Sequence, residues 1–351
     1  MAYTTIDDPS AYFQTALYSG DSSSVTVTND GNSDLQPDWL WFKKRNTTGD
    51  HNTFDTSRGL TERLFPNLAS ASDSGSNGIS ALTDGFTSGT FYGDVNGAGN
   101  TFVTWQWKCN GGTETHSQSE SGSNIACSVQ ANTTAKFSII TYTGTGGAGH
   151  TFLHGLGSTP KVILIKIRTG ATRGWIVYHH KSHATPHENF TLLNTTAAVA
   201  DLDRFDDTAP NSTEIAVSDD THVNADGNTY VAYAFDEVQG YSKFGSYEGN
   251  NSTDGTFVYT GFKPAWLMVK SVSDTQGWLI WDSKRASVNP ASAPLTANET
   301  SSEDTPDVDL LSNGFKLRTA DTSNNAASTY IYMAFAEHPF VSSEGVPTTA
   351  R

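Results

Sequence analysis

The histidines of this chain crowd into its middle: His150, His154, His179, His180, His183 and His187. Neutral imidazole is a common ligand for transition metals, so His179-His180-Lys-Ser-His183 is the first place to look for one. The run lacks the i, i+4 helical spacing of zinc enzymes, and it has no cysteine partner. Downstream, Asp201-Leu-Asp203-Arg-Phe-Asp-Asp207 gathers side-chain oxygens on a short stretch. So do three asparagine loops, Asp94-Val-Asn96, His222-Val-Asn224 and Thr322-Ser-Asn324. Oxygens so placed can collect Ca²⁺, but the regular carboxylate spacing of a dedicated calcium loop is missing. Asn and Asp also favour turns because they tolerate left-handed backbone and hydrogen-bond to it. The pattern requires no cofactor, leaves Ca²⁺ open, and leaves the metal undetermined. Aromatic residues offer a second chemistry. Trp39, Trp41, Trp105, Trp107, Trp175, Tyr178, Trp266, Trp278 and Trp281 can each fill a core or lie flat on a sugar ring. The candidate ligand-binding residues are therefore His179, His180, His183, Asp201, Asp203 and Trp175.

Catalytic patterns are missing. The chain has no Gly-x-Ser-x-Gly elbow, no glycine-rich phosphate loop and no His-Glu-x-x-His. A glycanase on a β-sandwich would want paired carboxylates two or four residues apart on one strand. The nearest acid cluster, Glu299-Thr-Ser-Ser-Glu-Asp304, sits in a polar loop. The expectation is a protein that is not an enzyme.

The elements that must hold these residues are written three times. Pro37-Asp-Trp-Leu-Trp-Phe-Lys43, Pro160-Lys-Val-Ile-Leu-Ile-Lys166 and Pro264-Ala-Trp-Leu-Met-Val-Lys270 share one pattern. Each block closes with an aromatic strand: Thr101-Phe-Val-Thr-Trp-Gln-Trp107, Thr229-Tyr-Val-Ala-Tyr-Ala-Phe235 and Thr329-Tyr-Ile-Tyr-Met-Ala-Phe335. Asn96, Asn224 and Asn324 each stand five residues before those threonines. A fixed order of markers marks copies of one unit. Lys43, Lys166, Lys270 and the three asparagines then read as framework, while residues found in one copy are free for function. Asp55 with Arg58 and Asp282 with Arg285 also match between copies, and His179 replaces the acid in the second. A lysine and a carboxylate at matched places suggest an ion pair pinning two strands, or a ligand pocket.

β-Branched and aromatic runs bounded by Gly, Asn, Asp and Ser predict strands throughout. Four successive apolar residues predict strands buried on both faces. The best helix candidate is Thr61-Glu-Arg-Leu. The fold expected is all-β: three tandem antiparallel β-sandwich domains of lectin-like jelly-roll type. The boundaries are an N-terminal arm at 1–9, repeats at 10–109, 135–239 and 240–340, a polar linker at 110–134, and a tail at 341–351. Each repeat is long enough for its own core. The short junction at 235–245 holds the second and third repeats together, and the linker leaves the first at a hinge or packed through that segment. Lys plus Arg is 21 and Asp plus Glu is 37, so the net charge is 21 − 37 = −16. That balance argues against nucleic acid and anionic membranes as partners. No apolar run is long enough to span a membrane, and the N-terminus lacks the features of a signal peptide. Cys109 and Cys127 read more readily as unpaired than as a disulfide.

His154-Gly-Leu-Gly-x-x-Pro160, with Trp175-Ile-Val-Tyr-His-His-Lys-Ser, resembles a domain family of uncharacterised function found in virion proteins of tailed, especially marine, bacteriophages. Tyr230-Val-Ala-Tyr-Ala-Phe-Asp-Glu-Val-Gln-Gly-Tyr-Ser-Lys-Phe-Gly is similar to the junction between that family's domains. Ser312-Asn-Gly-Phe-Lys-Leu-Arg, Ala334-Phe-Ala-Glu-His-Pro-Phe340, Asp55-Thr-Ser-Arg-Gly59 and Trp105-Gln-Trp-Lys match its other blocks. The resemblance implies a lectin-like (SPRY-like) sandwich on a phage particle and carries over no catalytic residues. The function expected is an exterior virion protein, of tail fibre, tail tip or capsid surface, adhering to host-surface polysaccharide. The alternative is a decoration or tail accessory protein that binds only other virion proteins. Either is made in the host cytoplasm without a signal peptide, and is a homo-oligomer or present in several copies. Attachment is expected through the N-terminal arm or a domain face.

Overall fold

A computed structural model describes residues 2–75, 78–90, 92–118, 120 and 124–348. Met1 of the arm, residues 119 and 121–123 of the linker, and the last three residues of the tail lie outside the described residues.

The apolar runs become strands with both faces buried, and all six residues of Val162–Ile167 are buried. Three larger antiparallel sheets share one inner order. The first runs Phe13–Ser19, Thr101–Trp107, Trp39–Lys44, Asn52–Asp55. In the third, Ser242–Glu248, Thr329–Pro339, Phe262–Ser271 and Leu279–Asp282 repeat that order, with Leu295–Thr296 beyond. The second centres on Phe137–Thr143, Thr229–Phe235, Val162–Ile167 and Ile176–His179. Small sheets pack against them: Val25–Val27 with Phe86–Ser88 and Ile79–Ala81, His150–Leu153 with Glu214–Val217, and Phe257–Tyr259 with Gly314–Leu317 and Val308–Leu311. The fold is all-β, antiparallel and layered, as the alternation of strand and turn signals required.

Period-two alternation sorts each larger sheet's side chains into two cores. Outward faces meet the small sheets: Leu40, Phe42, Phe54 and Phe86 in the first repeat, Ile163, Ile165, Phe152 and Ile215 in the second, Leu267, Val269 and Phe315 in the third. The inward faces all join one shared core, which takes in Trp39, Trp41, Trp105 and Trp107, then Leu164, Tyr233 and Phe235, then Trp266, Met268 and Phe335. Rings meet across repeats. Trp39 stacks on Tyr233 at 4.6 Å, Trp107 stands edge-on to Trp266 at 5.6 Å, and Phe235 edge-on to Phe335 at 5.9 Å. Such pairs add about 0.5–1.5 kcal/mol each beyond the area they bury.

Of the two placements left open for the first repeat, a hinge or a packed position, the structure has it packed, because Trp39, Trp41, Trp105 and Trp107 enter the common core. The polar linker is also partly sheet. Glu114–His116 and Cys127–Asn132 add to the second repeat's sheet, alongside Phe137–Thr143. Thr61-Glu-Arg-Leu is not helical: Glu62–Arg63 pairs with Asp73–Ser74, and the Arg63 guanidinium lies 4.4 Å from the Phe65 and Tyr92 rings. The four-residue helix falls instead at Gly93–Asn96. The N-terminal arm is docked on its own chain. Ile6 enters the shared core, Tyr3 donates to the Gly261 carbonyl at 2.7 Å, and Asp7 accepts from the Ser343 N–H.

Candidate functional site

The recurring polar residues are concentrated at the seams between repeats. Lys43, Lys166 and Lys270 are fully buried. Among the described residues none has a carboxylate within ion-pair distance of its ammonium, which corrects the ion-pair alternative read from the spacing. Each donates to backbone carbonyls, one of them on another repeat. Lys43 reaches Thr300 at 3.1 Å, Lys166 reaches Ala69 at 2.9 Å, and Lys270 reaches Thr196 at 3.3 Å. Those contacts run first repeat to third, second to first and third to second, so they close a ring. Burial pushes Lys43 and Lys270 down to about 8 and Lys166 down to about 7. Three residues beyond each acceptor, Glu303, Ser72 and Val199 donate their N–H to Arg45, Arg168 and Val272. A third set follows the same path: His51 Nε2 bonds Thr296 at 3.1 Å, Trp175 Nε1 bonds Phe65 at 2.8 Å, and Trp278 Nε1 bonds Leu192 at 2.9 Å. Trp175 is therefore a brace with its ring in the shared core, and not a sugar platform.

The carboxylates work in the opposite sense around the ring. Asp55 holds Arg58 and accepts from the Tyr233 hydroxyl at 2.6 Å. Asp282 holds Arg285 and accepts from Trp105 Nε1 at 2.9 Å. His179 has their place in the second repeat, and the register equivalent of Tyr233 and Trp105 in the third repeat is Met333, which carries no donor. The imidazole supplies the donor itself: Nδ1 accepts from the Lys181 N–H, and Nε2 donates to the Tyr332 carbonyl at 3.1 Å. Burial, with His180 nearby, pushes His179 down to about 3, so it stays neutral. His180 donates to the Phe244 carbonyl at 2.7 Å. The pair is thus a seam contact between the second and third repeats. His183 is exposed and bonded locally to Thr185 and Asn189. Asp201 and Asp203 are also exposed and belong to a separate strand and loop, where the Asp203 carbonyl accepts from Ser218. The sequence's six-residue set is not brought together. Among the described residues no three His, Cys, Asp or Glu side chains approach closely enough to hold a metal ion. Cys109 and Cys127 are both buried and unpaired with each other.

The asparagine loops are joints within a repeat. Asn96 accepts from the Asp21 N–H, and Asn224 from the Thr145 N–H. In the third repeat that work falls to Asn325, which accepts from the Asn250 N–H and donates to Ser252 and Thr319. Asn324 is displaced by one. It takes the position of Val95 and Val223, whose carbonyls accept from Tyr18 and Tyr142 as Asn324's does from Tyr247. The loop is one residue shorter there, so counting back from Thr329 lands on the wrong asparagine. Gly20, Gly144 and Gly249 are a marker the sequence reading missed. Each ends an opening strand where a Cβ would press on the carbonyl oxygen of Gly97, Ala225 or Ala326. Their equal place after the opening strands was the available signal.

The nine aromatic residues singled out in the sequence are at most 4% exposed. Two others are on the surface. Phe257 and Tyr259 alternate around buried Val258 on the edge strand of the third repeat's small sheet, 44% and 55% exposed. Register against Gly314–Leu317 and Phe86–Ser88 puts Thr26 and Thr28 in their places in the first repeat.

Fold and seams together define an all-β protein of paired antiparallel sheets without a barrel, its recurring polar residues used for internal bracing. The chain belongs to the DUF7483 family, a domain of unknown function whose family model matches residues 8–339. No curated protein and no solved structure matches it.

Proposed function

We propose that this chain is a non-enzymatic structural protein on the exterior of a tailed-bacteriophage particle, binding other particle proteins. The observation that carries the reading is the closed ring of braces. The recurring features of the repeats, the lysines, the carboxylates and the aromatic strands, are buried and spent on contacts that brace one repeat against another. Rigidity of this kind suits a fitting held in several copies on a particle, where weak contacts gain from multiplicity. The block resemblances described above supply the link to phage virions, and with it assembly in the host cytoplasm. Gold-labelled antibody against the protein, applied to particles purified from the source lysate, is expected to decorate a fixed position. Unlabelled particles would sink the reading.

A second reading, adhesion to host-surface polysaccharide, is favoured by Phe257 and Tyr259. Two rings on one face of an exposed strand can take the C–H face of a sugar, and the Lys316–Asp254 ion pair stands beside them. Binding of the intact protein to host envelope fractions, lost in the Phe257→Ala/Tyr259→Ala variant, would support it. No binding by the intact protein would remove it.

A further inference from the structure

Each larger sheet contains an opening strand: Phe13–Ser19, Phe137–Thr143 and Ser242–Glu248. Alternate residues of such a strand bond to the closing strand, and the others turn their N–H and C=O away from it. In the first repeat, Lys108 donates to the Tyr12 carbonyl and Gly20 donates to the Asn100 carbonyl. Even-numbered residues therefore face the closing strand, and Thr15 and Leu17 face outwards. Register puts Thr15, Ile139 and Phe244 at one point of the repeat, opposite Trp105, Tyr233 and Met333.

That point is covered in two seams and open in the third. In the second repeat the strand Cys127–Asn132 covers it, with Gln130 opposite Ile139. The Gln130 side-chain oxygen accepts from Thr56 at 3.0 Å and Ser57 at 2.8 Å, both on the neighbouring repeat. In the third repeat, Glu237 accepts from the Phe244 N–H at 2.8 Å while His180 donates to the Phe244 carbonyl. In the first repeat no described residue bonds the outward N–H or C=O of Thr15, and its hydroxyl is buried without a partner. Ser283 follows Asp282 as Thr56 follows Asp55 and His180 follows His179, but its side chain is too short to cross the gap as the imidazole does. A cleft of about 280 Å³ remains between Thr15 and the Ser283–Lys284 turn, lined also by Phe13, Ala265 and Ala336.

We propose that this cleft receives an extended segment of another protein, added as a strand to the open edge of Phe13–Ser19. The chain's own Cys127–Asn132, antiparallel on the equivalent strand, shows the occupant's shape. Backbone groups would give affinity through Thr15 and Leu17, and side chains would give specificity. By the position of Gln130, the guest carries a side-chain carbonyl or carboxylate opposite Thr15. Ser283 and Lys284 stand where Thr56 and Ser57 stand and can donate to it, Lys284 turning from its exposed partner Asp30. The proposal rests on the seam geometry alone and holds for either function above.

The probe is a capped peptide, Ser-Ser-Val-Gln-Ala-Asn, which copies 127–132 with serine for the cysteine. Added in excess to the full chain, it is expected to slow amide exchange at Thr15 and Leu17. A peptide with leucine for glutamine should protect less. Thr15→Pro, tolerable on an edge whose N–H faces outwards, should abolish protection at Leu17, the remaining reporter amide. If that variant unfolds, Ser283→Ala/Lys284→Ala should weaken protection without touching the strand. Unchanged exchange at Thr15 and Leu17 under millimolar peptide overturns the proposal. So does protection that appears without peptide as protein concentration rises, because the occupant would then be a second copy.

Discussion

Tyr233 and Trp105 each aim a donor at a buried carboxylate, and Met333, at the same place in the third repeat, has none to give. A buried carboxylate facing methionine would keep its desolvation cost without that hydrogen bond, and the second repeat lacks the arginine as well: Ser182 stands where Arg58 and Arg285 do. His179 answers both losses with a neutral ring that donates to a carbonyl. His179→Asp should therefore destabilise the protein by about 3–5 kcal/mol, the usual cost of a buried charge without its partner. Adding Met333→Tyr should recover part of that loss, while Met333→Tyr alone should not stabilise. A double-mutant cycle by chemical denaturation reads the coupling. Equal effects of Met333→Tyr in both backgrounds would show that the facing donor does not decide the residue at 179. From the sequence this substitution looked like a candidate site, since the partner that explains it lies across a seam, 154 residues away (333 − 179).

Among elements, the asparagine loops distinguish a structural joint from a passenger. The Asn325 side chain makes four hydrogen bonds, to the Asn250 N–H and Oδ1 and to the Ser252 and Thr319 carbonyls. Asn325→Ala strands those groups and should cost about 1–3 kcal/mol. Asn324 sits buried where the other repeats have valine, and its Nδ2 has no partner. Asn324→Val should therefore be neutral or stabilising by up to about 1–2 kcal/mol. Thermal denaturation of the two variants checks both signs, and a larger loss at 324 than at 325 would reverse the assignment. Strand existence and two-faced burial were legible because they depend on local pattern, as in Val162–Ile167. The Glu62–Arg63 strand was not, since besides nearby Phe65 Arg63 is held by Asp73 and the Tyr92 ring, 10 and 29 residues away in sequence. The strands within the linker were hidden by their polar composition, as they cover an edge rather than fill a core.

At the scale of the whole molecule, repetition predicted separate cores, and the structure adds a common one. The inward tryptophans of the first repeat were readable as core, but nothing in their spacing said whose core they enter. The shared core and the ring of braces should make the repeats unfold as one unit, and the bases buried at its seams set its expected response to pH. Lys43, Lys166 and Lys270, at about 7 to 8 when folded, titrate near 10.4 when unfolded. Between those values the unfolded chain holds more protons, so stability rises with pH. His179 at about 3, His154 at about 4, and His51 and His180, also lowered by burial, behave alike below about 6.5. Their stabilisation is lost as pH falls from there towards their folded values. Asp38, raised by burial, opposes this only at the acid end. Above about 10 the curve turns over, because buried tyrosines such as Tyr230, pushed up to about 12, keep their protons when folded while the unfolded chain loses them. The denaturant midpoint should therefore climb in a single transition from about pH 4 to about pH 9. Lys166→Met should flatten the part of that climb above neutrality while leaving the acid part unchanged. A midpoint that falls between pH 7 and pH 9, or a second transition, would contradict buried neutral lysines at shared seams.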